Sequence, residues 1–503
     1  MAQYLMGLDN GGTVIKAALF RLDGTEVAVS SQHTPVSTPR PGYQERDMGD
    51  VWQKNCACIR GVLEKSGVVP QEVAALAVCG HGKGLYLWGK DNRPAYPGIA
   101  STDNRAWIYP GRWRESGVFD SLYPQLCQQQ LACQPSALLA WLKEHEPTVY
   151  GNIRWVFSIK DYIRFRLTGQ ALSERTDLSG SGLMDVKNGC VDPGLLSALG
   201  IGEAADWIAP LCSSFDLCGQ ITPEAAALTG LCPGTPVAGG MFDIDACALA
   251  MDVTSPDQLC TITGTWSINE FISPQPKLHT QVAMNSLYAI PGYYLLEECS
   301  PTSAGNLEWV LGQLSACLNL PQSSSPYDTV NQLVDSIPPE DCQVYYLPFL
   351  YGSNVHPLAK AGFLGLTTYH TAAHMLRAVY EGVVFSHKVH IDRLLTARST
   401  PTVVRMAGGA ANSQVWSQMF ADVLGLPIQR VSGVRELGAL GSAMAAAVAA
   451  GLYPDYQTAA QTMVRVTAPI FPNPERQAIY QAKFETYQAI TSALEPVWDR
   501  FQV

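Results

Sequence analysis

No CxxC pair and no cysteine and histidine cluster occurs in the chain, although it holds 14 cysteines. Zinc-ribbon and dithiol redox chemistry are thereby excluded, and the cysteines read as reduced thiols, the state expected in the cytoplasm. Positive charge is in short supply, since 33 Lys and Arg face 44 Asp and Glu for a net charge of −11. That balance argues against nucleic acid or an anionic membrane as partner, so an anionic ligand must be held by glycine amides, helix termini or a metal. Only 15% of residues are charged and 47% are apolar, the composition of a folded protein and not of a disordered one. No basic segment precedes an apolar core at the start, because Asp9 interrupts the first apolar run, so no secretory signal is expected. The apolar run at 437–453 is slightly short of a membrane span and built from Ala and Gly; it reads as a closely packed, buried helix ended before Pro454. Two nucleotide signatures are missing as well. There is no GxxxxGK[ST], "GHGKG" at 80–84 having the wrong spacing and no hydroxyl, and no GxGxxG follows the first strand.

What is present begins with "YLMGLDNGGTVIKAALFRLDG" at 4–24, two apolar strands around a polar tip, with Asp23-Gly24 signalling a further antiparallel strand. Gly11 and Gly12 leave backbone amides open to an anion and Thr13 adds a hydroxyl, whereas Asp9 would repel a bare phosphate. A cation between them resolves the conflict, and Mg²⁺ prefers one or two carboxylates with phosphate oxygens and water. The alternative is an ordinary glycine hairpin at a sheet edge. The pattern of strand, Gly-Thr turn and strand returns in "DQLCTITGTWSINEFIS" at 257–273, half the chain later. Two α/β domains of similar architecture are expected, 1–249 and 250–503, with a cleft between their hairpins as the ligand site.

A third element, "PVAGGMFDIDACALAMD" at 236–252, runs from a strand through Gly239-Gly240 to Asp243 and Asp245 at a helix start. Asp243 either caps that helix or serves as a general base that takes the proton of an attacking hydroxyl.

In order along the chain stand "GLDNGGT", "PGYQERDMGDVW", "DYIRFRLTG", "TDLSGSGLMD", "GGMFD", "TGTW", "GFLGL", "YEGVVFSH" and "AGGAANSQVWSQMFADVLG". Together they resemble the FGGY family of carbohydrate kinases, which has the two-lobed fold of actin, hexokinase and Hsp70, built on ribonuclease H-like lobes. The resemblance implies an ATP-dependent sugar kinase working with Mg²⁺. It puts Asp9 at the metal, Asn10, Gly11, Gly12 and Thr13 at the first phosphate loop, and Gly264 and Thr265 at the second. Gly408, Gly409 and Asn412 fall in the adenosine site. Asp243 becomes the catalytic base and a sugar contact, while Asp245 reads as structural. His81, Lys83 and Asp103 are expected to contact the sugar, and Arg105 reads as a salt-bridge partner rather than a phosphate clamp.

Where D-xylulose kinases of the family carry Met-His-Gly, this chain has Gly82-Lys83-Gly84. A solvated loop lysine is the ordinary reading of Lys83, and glycines on both sides weaken it because they let backbone or ligand approach closely. "GKGL", "SPTSAGNLEW" and "LPFLYGSN" resemble most the branch that acts on L-xylulose, with D-xylulose, L-ribulose and erythritol as competing substrates. A chaperone-like or filament-forming ATPase on the same fold would need a partner surface, and a sugar-sensing regulator a basic DNA-binding module; neither is visible. The oligomeric state is not fixed by the sequence, and a homodimer is allowed.

Overall fold

The computed structural model describes residues 3–501 apart from 265, 279–281, 283, 315–324, 354–355 and 357. The first half opens with β1 (Tyr4–Asn10), β2 (Val14–Arg21) and β3 (Glu26–His33), a meander whose middle residues Leu5, Met6, Leu8 and Leu19 are fully buried. Gly24, in the left-handed region at φ 81°, makes the turn into β3 that Asp23-Gly24 signals. Helix α1 (Met48–Ser66) follows. Asp47 caps its start by accepting the Asp50 N–H at 2.7 Å, and Gly67 ends it in the left-handed conformation. One face of α1, with Val51, Trp52, Ile59 and Val62, packs on the meander. The chain then returns in β4 (Val73–Gly80), parallel to β1.

Strands β5 (Leu217–Gln220) and β6 (Pro236–Ala238) complete a sheet of order β5-β6-β4-β1-β2-β3, with the short β7 (Met241–Phe242) also parallel to β4. Helix α2 (Asp243–Ala250) leaves directly from β7.

The second half repeats the plan. The hairpin of β8 (Gln258–Thr263) and β9 (Ser267–Ser273) is continued by β10 (Met284–Leu287) and β11 (Tyr294–Ser300). After the 24-residue helix α3 (Ala372–Leu395) the chain enters β12 (Val403–Gly408), parallel to β8 as β4 is to β1. Helix α4 (Gln414–Leu424) and β13 (Ile428–Ser432) follow, and the sheet runs β10-β11-β9-β8-β12-β13, ending on a two-residue strand at Arg465–Val466. Meander, crossover and parallel strand thus recur in both halves, giving a mixed α/β protein of two domains.

Helix α5 (Leu437–Ala449) belongs by sequence to the second half but lies on the first sheet. Its small residues make this contact. A Cβ on Gly7 of β1 would stand 1.8 Å from the Ala439 carbonyl oxygen, and one on Gly441 would stand 2.1 Å from that of Ala246 in α2. The Ala and Gly run is therefore a buried helix that approaches backbone to backbone, and no helix among the described residues is long and apolar enough to cross a membrane. The amphipathic pattern at 137–150 is cut in two, into helices Pro135–His145 and Pro147–Asn152, because proline at position 147 cannot continue a helix and starts a new one. Helix α6 (Pro474–Trp498) closes the chain against α4.

Candidate active site

The register of the first sheet brings the polar strand ends together. Asp9 sits opposite Lys16 on β2 and beside Cys79 on β4, which is itself beside Met241 on β7, two residues before Asp243. The C-terminal ends of three parallel strands therefore present Asp9, the turn from His81 to Gly84, and Asp243 side by side. This is where open α/β sheets place ligands. Asp9 is covered by α5, for a Cβ on Gly438 would lie 2.7 Å from its Oδ2. Burial raises the Asp9 pKa to about 6, against the lowering effect of Lys16 and the Cys79 thiol, with Glu436 raising it. Lys16 is itself tied to Glu436 at 2.6 Å.

Asp243 stands at the first position of α2, and the cap position falls to Phe242, which has no side-chain acceptor. Burial, then Asp9, Asp177 and Glu297, push the Asp243 carboxyl well above the usual carboxylate range. A carboxylate that holds a proton this strongly is a competent base once deprotonated. Asp245 is different: it is fully buried and accepts the Ala289 N–H at 2.8 Å, the structural role its position suggests.

The hairpin tip between β1 and β2 is open. Gly12 and Thr13 are exposed, and a Cβ on Gly12 would meet nothing within 4 Å. Neither Gly11 nor Gly12 has a left-handed backbone. Gly12 leaves free space in front of its amide, whereas at Gly11 a Cβ would press to 3.0 Å on the Val14 carbonyl oxygen, which accepts the Gly11 N–H at 3.1 Å. Among the described residues no group of three or more His, Cys, Asp or Glu is arranged to hold a metal. Asp9 beside an open phosphate-sized tip fits Mg²⁺ held mainly by phosphate oxygens and water, with Asp9 as the protein's carboxylate.

Three of the residues expected at the ligands have side chains engaged within the protein in this structure. Asn10 is fully buried, and its side-chain amide exchanges hydrogen bonds with that of Asn55 at 3.1 and 2.8 Å. His81 is buried with both ring nitrogens engaged, Nδ1 with the Gly82 carbonyl at 3.2 Å and Nε2 with the Tyr86 hydroxyl at 3.1 Å. Burial and then Arg46 lower its pKa to about 3, so the ring is neutral. Asp103 accepts from the Gln44 N–H at 2.6 Å, the Arg105 N–H at 2.9 Å and the Arg105 guanidinium at 2.8 Å. Arg105 in turn pairs with Glu45 at 2.8 Å and lies over the Tyr43 ring, the salt-bridge role expected of it. Asn10 keeps one N–H and one oxygen lone pair unused by Asn55, while His81 and Asp103 are held by several partners each.

Lys83 follows the end of β4, beside Asp9 and Asp243 in the sheet. Its backbone is left-handed at φ 64°, unusual for a residue with a side chain. Its neighbours must be glycine: a Cβ on Gly82 would strike the Phe242 ring at 2.3 Å, and one on Gly84 the Ile99 carbonyl oxygen at 2.4 Å. The turn is pressed between β7 and the strand-like segment at 98–99, which fixes where the ammonium emerges.

The second hairpin borders a cavity of about 510 Å³ lined by Gly264, Gly409, Asn412, Tyr380 and Trp416. Thr265 lies outside the described residues. Gly408, at φ 93°, would drive a Cβ to 2.5 Å from the Thr263 carbonyl oxygen, so glycine is required there for the close pairing of β8 and β12. Gly409 and Asn412 are exposed to the cavity. Tyr380 and Trp416 stack at 4.0 Å and form a firm wall, with the Trp416 indole N–H donating to the Tyr380 carbonyl at 3.1 Å. Sequence motifs contain both rings, but their stacking joins α3 to α4 and no local pattern reveals it. A Cβ on Gly409 would make only ordinary contacts, the nearest at 3.6 Å. Gly409→Val is therefore expected to fold normally, fill part of the cavity and raise the KM for ATP by roughly tenfold or more, the scale for a mismatched pocket group. Thermal melting alongside steady-state kinetics checks both halves of that statement.

Comparison with known proteins agrees with this geometry. Residues 4–250 match the N-terminal domain of the FGGY family of carbohydrate kinases, and residues 259–450 match its C-terminal domain. The L-xylulose/3-keto-L-gulonate kinase of Escherichia coli K12 is 38% identical over 498 residues, 98% of each chain. The autoinducer-2 kinase of the same strain is 27% identical over 97% of this chain and 94% of its own. Among solved structures, the xylulose kinase from Rhodospirillum rubrum superposes with a TM-score of 0.86 at 27% identity, covering 99% of this chain and 100% of the other.

Proposed function

Because this chain belongs to the FGGY family of carbohydrate kinases, we propose that it transfers the γ-phosphoryl group of ATP to the terminal hydroxyl of a ketopentose, L-xylulose in preference to others. The observation that carries this reading is the placing of Asp243, Asp9 and Lys83 at adjoining strand ends of one sheet. The first lobe, 1–249, holds the sugar against the turn of Lys83. The second, 250–503, holds the nucleotide in the cavity beside Gly264, Gly409 and Asn412.

In the reaction the sugar hydroxyl oxygen bonds to the γ-phosphorus as the bond to the β,γ-bridging oxygen breaks. The hydroxyl proton passes to Asp243, and ADP leaves. Amides at the tips of the two hairpins face the phosphates, and positioning with electrostatic stabilisation supplies most of the acceleration. Asp9 would hold Mg²⁺, which when bound neutralises phosphate charge.

The E. coli relative's name gives L-xylulose as one of its substrates, which supports the first choice. D-xylulose, L-ribulose and erythritol differ by one or two hydroxyls and are the alternatives. A coupled ADP-release screen over these compounds is expected to give L-xylulose the highest kcat/KM. Lys83→Met should then lower that value by about 1–3 kcal/mol in transition-state terms, the loss of a charge-assisted partner. A win for D-xylulose or erythritol would reject the choice of sugar and leave the kinase activity standing. Turnover of ATP that no sugar stimulates would favour an ATPase without a small acceptor.

A further inference from the structure

The short helix Arg175–Ser179 belongs to the "TDLSGSGLMD" stretch, to which the reaction described above gives no task. It stands behind the candidate base. The Thr176 hydroxyl accepts the Phe242 N–H at 2.9 Å, and Phe242 is the residue from which Asp243 and α2 leave β7. Thr176 is buried, so this bond is out of reach of bulk water. The hydroxyl proton is committed elsewhere, donated to Glu174 Oε2 at 2.7 Å, which leaves an oxygen lone pair for Phe242. Glu174 also accepts the Thr176 N–H at 2.9 Å and lies 3.3 Å from the Lys160 ammonium. Lys160 in turn bonds Asp161 at 2.9 Å, and Asp161 pairs with Arg164 at 2.9 Å. Lys160, Arg164 and Glu174 are fully buried. A charged network of this kind is rigid when its members are paired, and Thr176 is where it ends on the backbone of β7. Phe242 is held on its other sides by register pairing with Gly80 of β4 and by its ring, which occupies the place where a Cβ on Gly82 would come to 2.3 Å.

Resting on the reading of Asp243 as the base of a sugar kinase, we propose that Thr176 is a positioning residue for the reaction: by holding the Phe242 N–H it fixes the backbone one residue before Asp243, and with it the place where the carboxylate meets the sugar hydroxyl. The hydroxyl is needed because β7 is only two residues long and its ladder with β4 gives the chain little hold of its own. Asp243 starts α2 without a side-chain cap at Phe242, so the bond to Thr176 is what anchors the entry to the helix. Accuracy here matters to the rate, since a misplacement on the order of 1 Å in such a transfer costs about 100-fold. Thr176 and Phe242 stand 66 residues apart, and no local pattern pairs them.

The test measures kcat and KM with ATP and the preferred sugar of the ADP-release screen, alongside the melting temperature. Thr176→Val keeps the shape and removes the hydroxyl, and is expected to lower kcat by roughly 10- to 100-fold with the KM for ATP unchanged. Thr176→Ser, which restores the hydroxyl, should recover most of that loss. A Thr176 that serves stability alone would give a valine variant with a lower melting temperature and an intact kcat below it, and that result overturns the assignment. A serine variant as slow as the valine one overturns it too, because the effect would then lie in packing and not in the hydrogen bond. If Thr176→Val does not fold, Thr176→Ala is compared with Thr176→Ser: equal kcat values overturn the proposal, and a slower alanine variant with an unchanged KM for ATP sustains it. Near-normal turnover by Asp243→Asn would overturn the reading of the base and this proposal with it, whereas a slow Asp243→Asn beside a fast Thr176→Val overturns this one alone.

Discussion

Asp243→Asn is expected to lower kcat by roughly two to four orders of magnitude, the range for a positioned acid or base, while ATP binding and most of the sugar affinity persist. Asparagine fills the same space at the first turn of α2 but cannot take a proton from the sugar hydroxyl. Its neutrality also removes repulsion toward Asp9, which is the second cause, after burial, of the raised Asp243 pKa. Nucleotide affinity should therefore be unchanged or higher, which separates the loss of a base from a collapse of the site. The pH profile gives a second readout. Asp243 must be deprotonated to act, so wild-type kcat should rise with pH through its elevated pKa, and the residual activity of the variant should lack that limb. Coupled ADP release and nucleotide titration across pH measure both. Near-normal turnover would leave Asp243 only a place at a helix start.

The hairpins were legible because strand, turn and strand are local patterns, and their recurrence half a chain apart announced two similar domains. The family resemblance separated Asp243 from Asp245, and the structure finds Asp245 engaged with the Ala289 amide. The internal partners of three expected ligand residues were not legible. Asn10, His81 and Asp103 are polar residues near strand ends, as ligand-binding residues are. Their side chains bond Asn55, Tyr86, and Gln44 with Arg105, of which Asn55 and Gln44 stand 45 and 59 residues away while Tyr86 and Arg105 are local. Periodicity cannot report such capture. It also could not show that α5 would cross to the first sheet, although its small residues foretold close packing with some neighbour.

That crossing has a measurable outcome at Asp9. Because Gly438 and its neighbours let α5 lie directly on the end of β1, Asp9 loses water and its pKa rises to about 6 from the ordinary carboxylate value of 3.8. The sign follows from linkage. A carboxyl whose folded pKa is raised favours the folded state fully below its unfolded pKa, and that contribution is lost as pH rises through the folded value. Asp9→Asn should therefore match the wild type in stability near pH 4. It should pull ahead between pH 4 and 6 and stay ahead at pH 8 by something on the order of 3 kcal/mol. Activity should move the other way. With no carboxylate to face Mg²⁺ beside the phosphate tip, kcat/KM for ATP should fall by roughly 100-fold or more, as when a preorganised electrostatic partner is removed. For the wild type, ATP use should weaken below about pH 6 as Asp9 takes up its proton, a limb the variant lacks. Melting curves and ATP kinetics from pH 4.5 to 8 test the pair of trends. A variant that loses activity and stability together at pH 8 would make Asp9 a structural residue, whereas a more stable, inactive protein is what a half-buried carboxylate reserved for a cation produces.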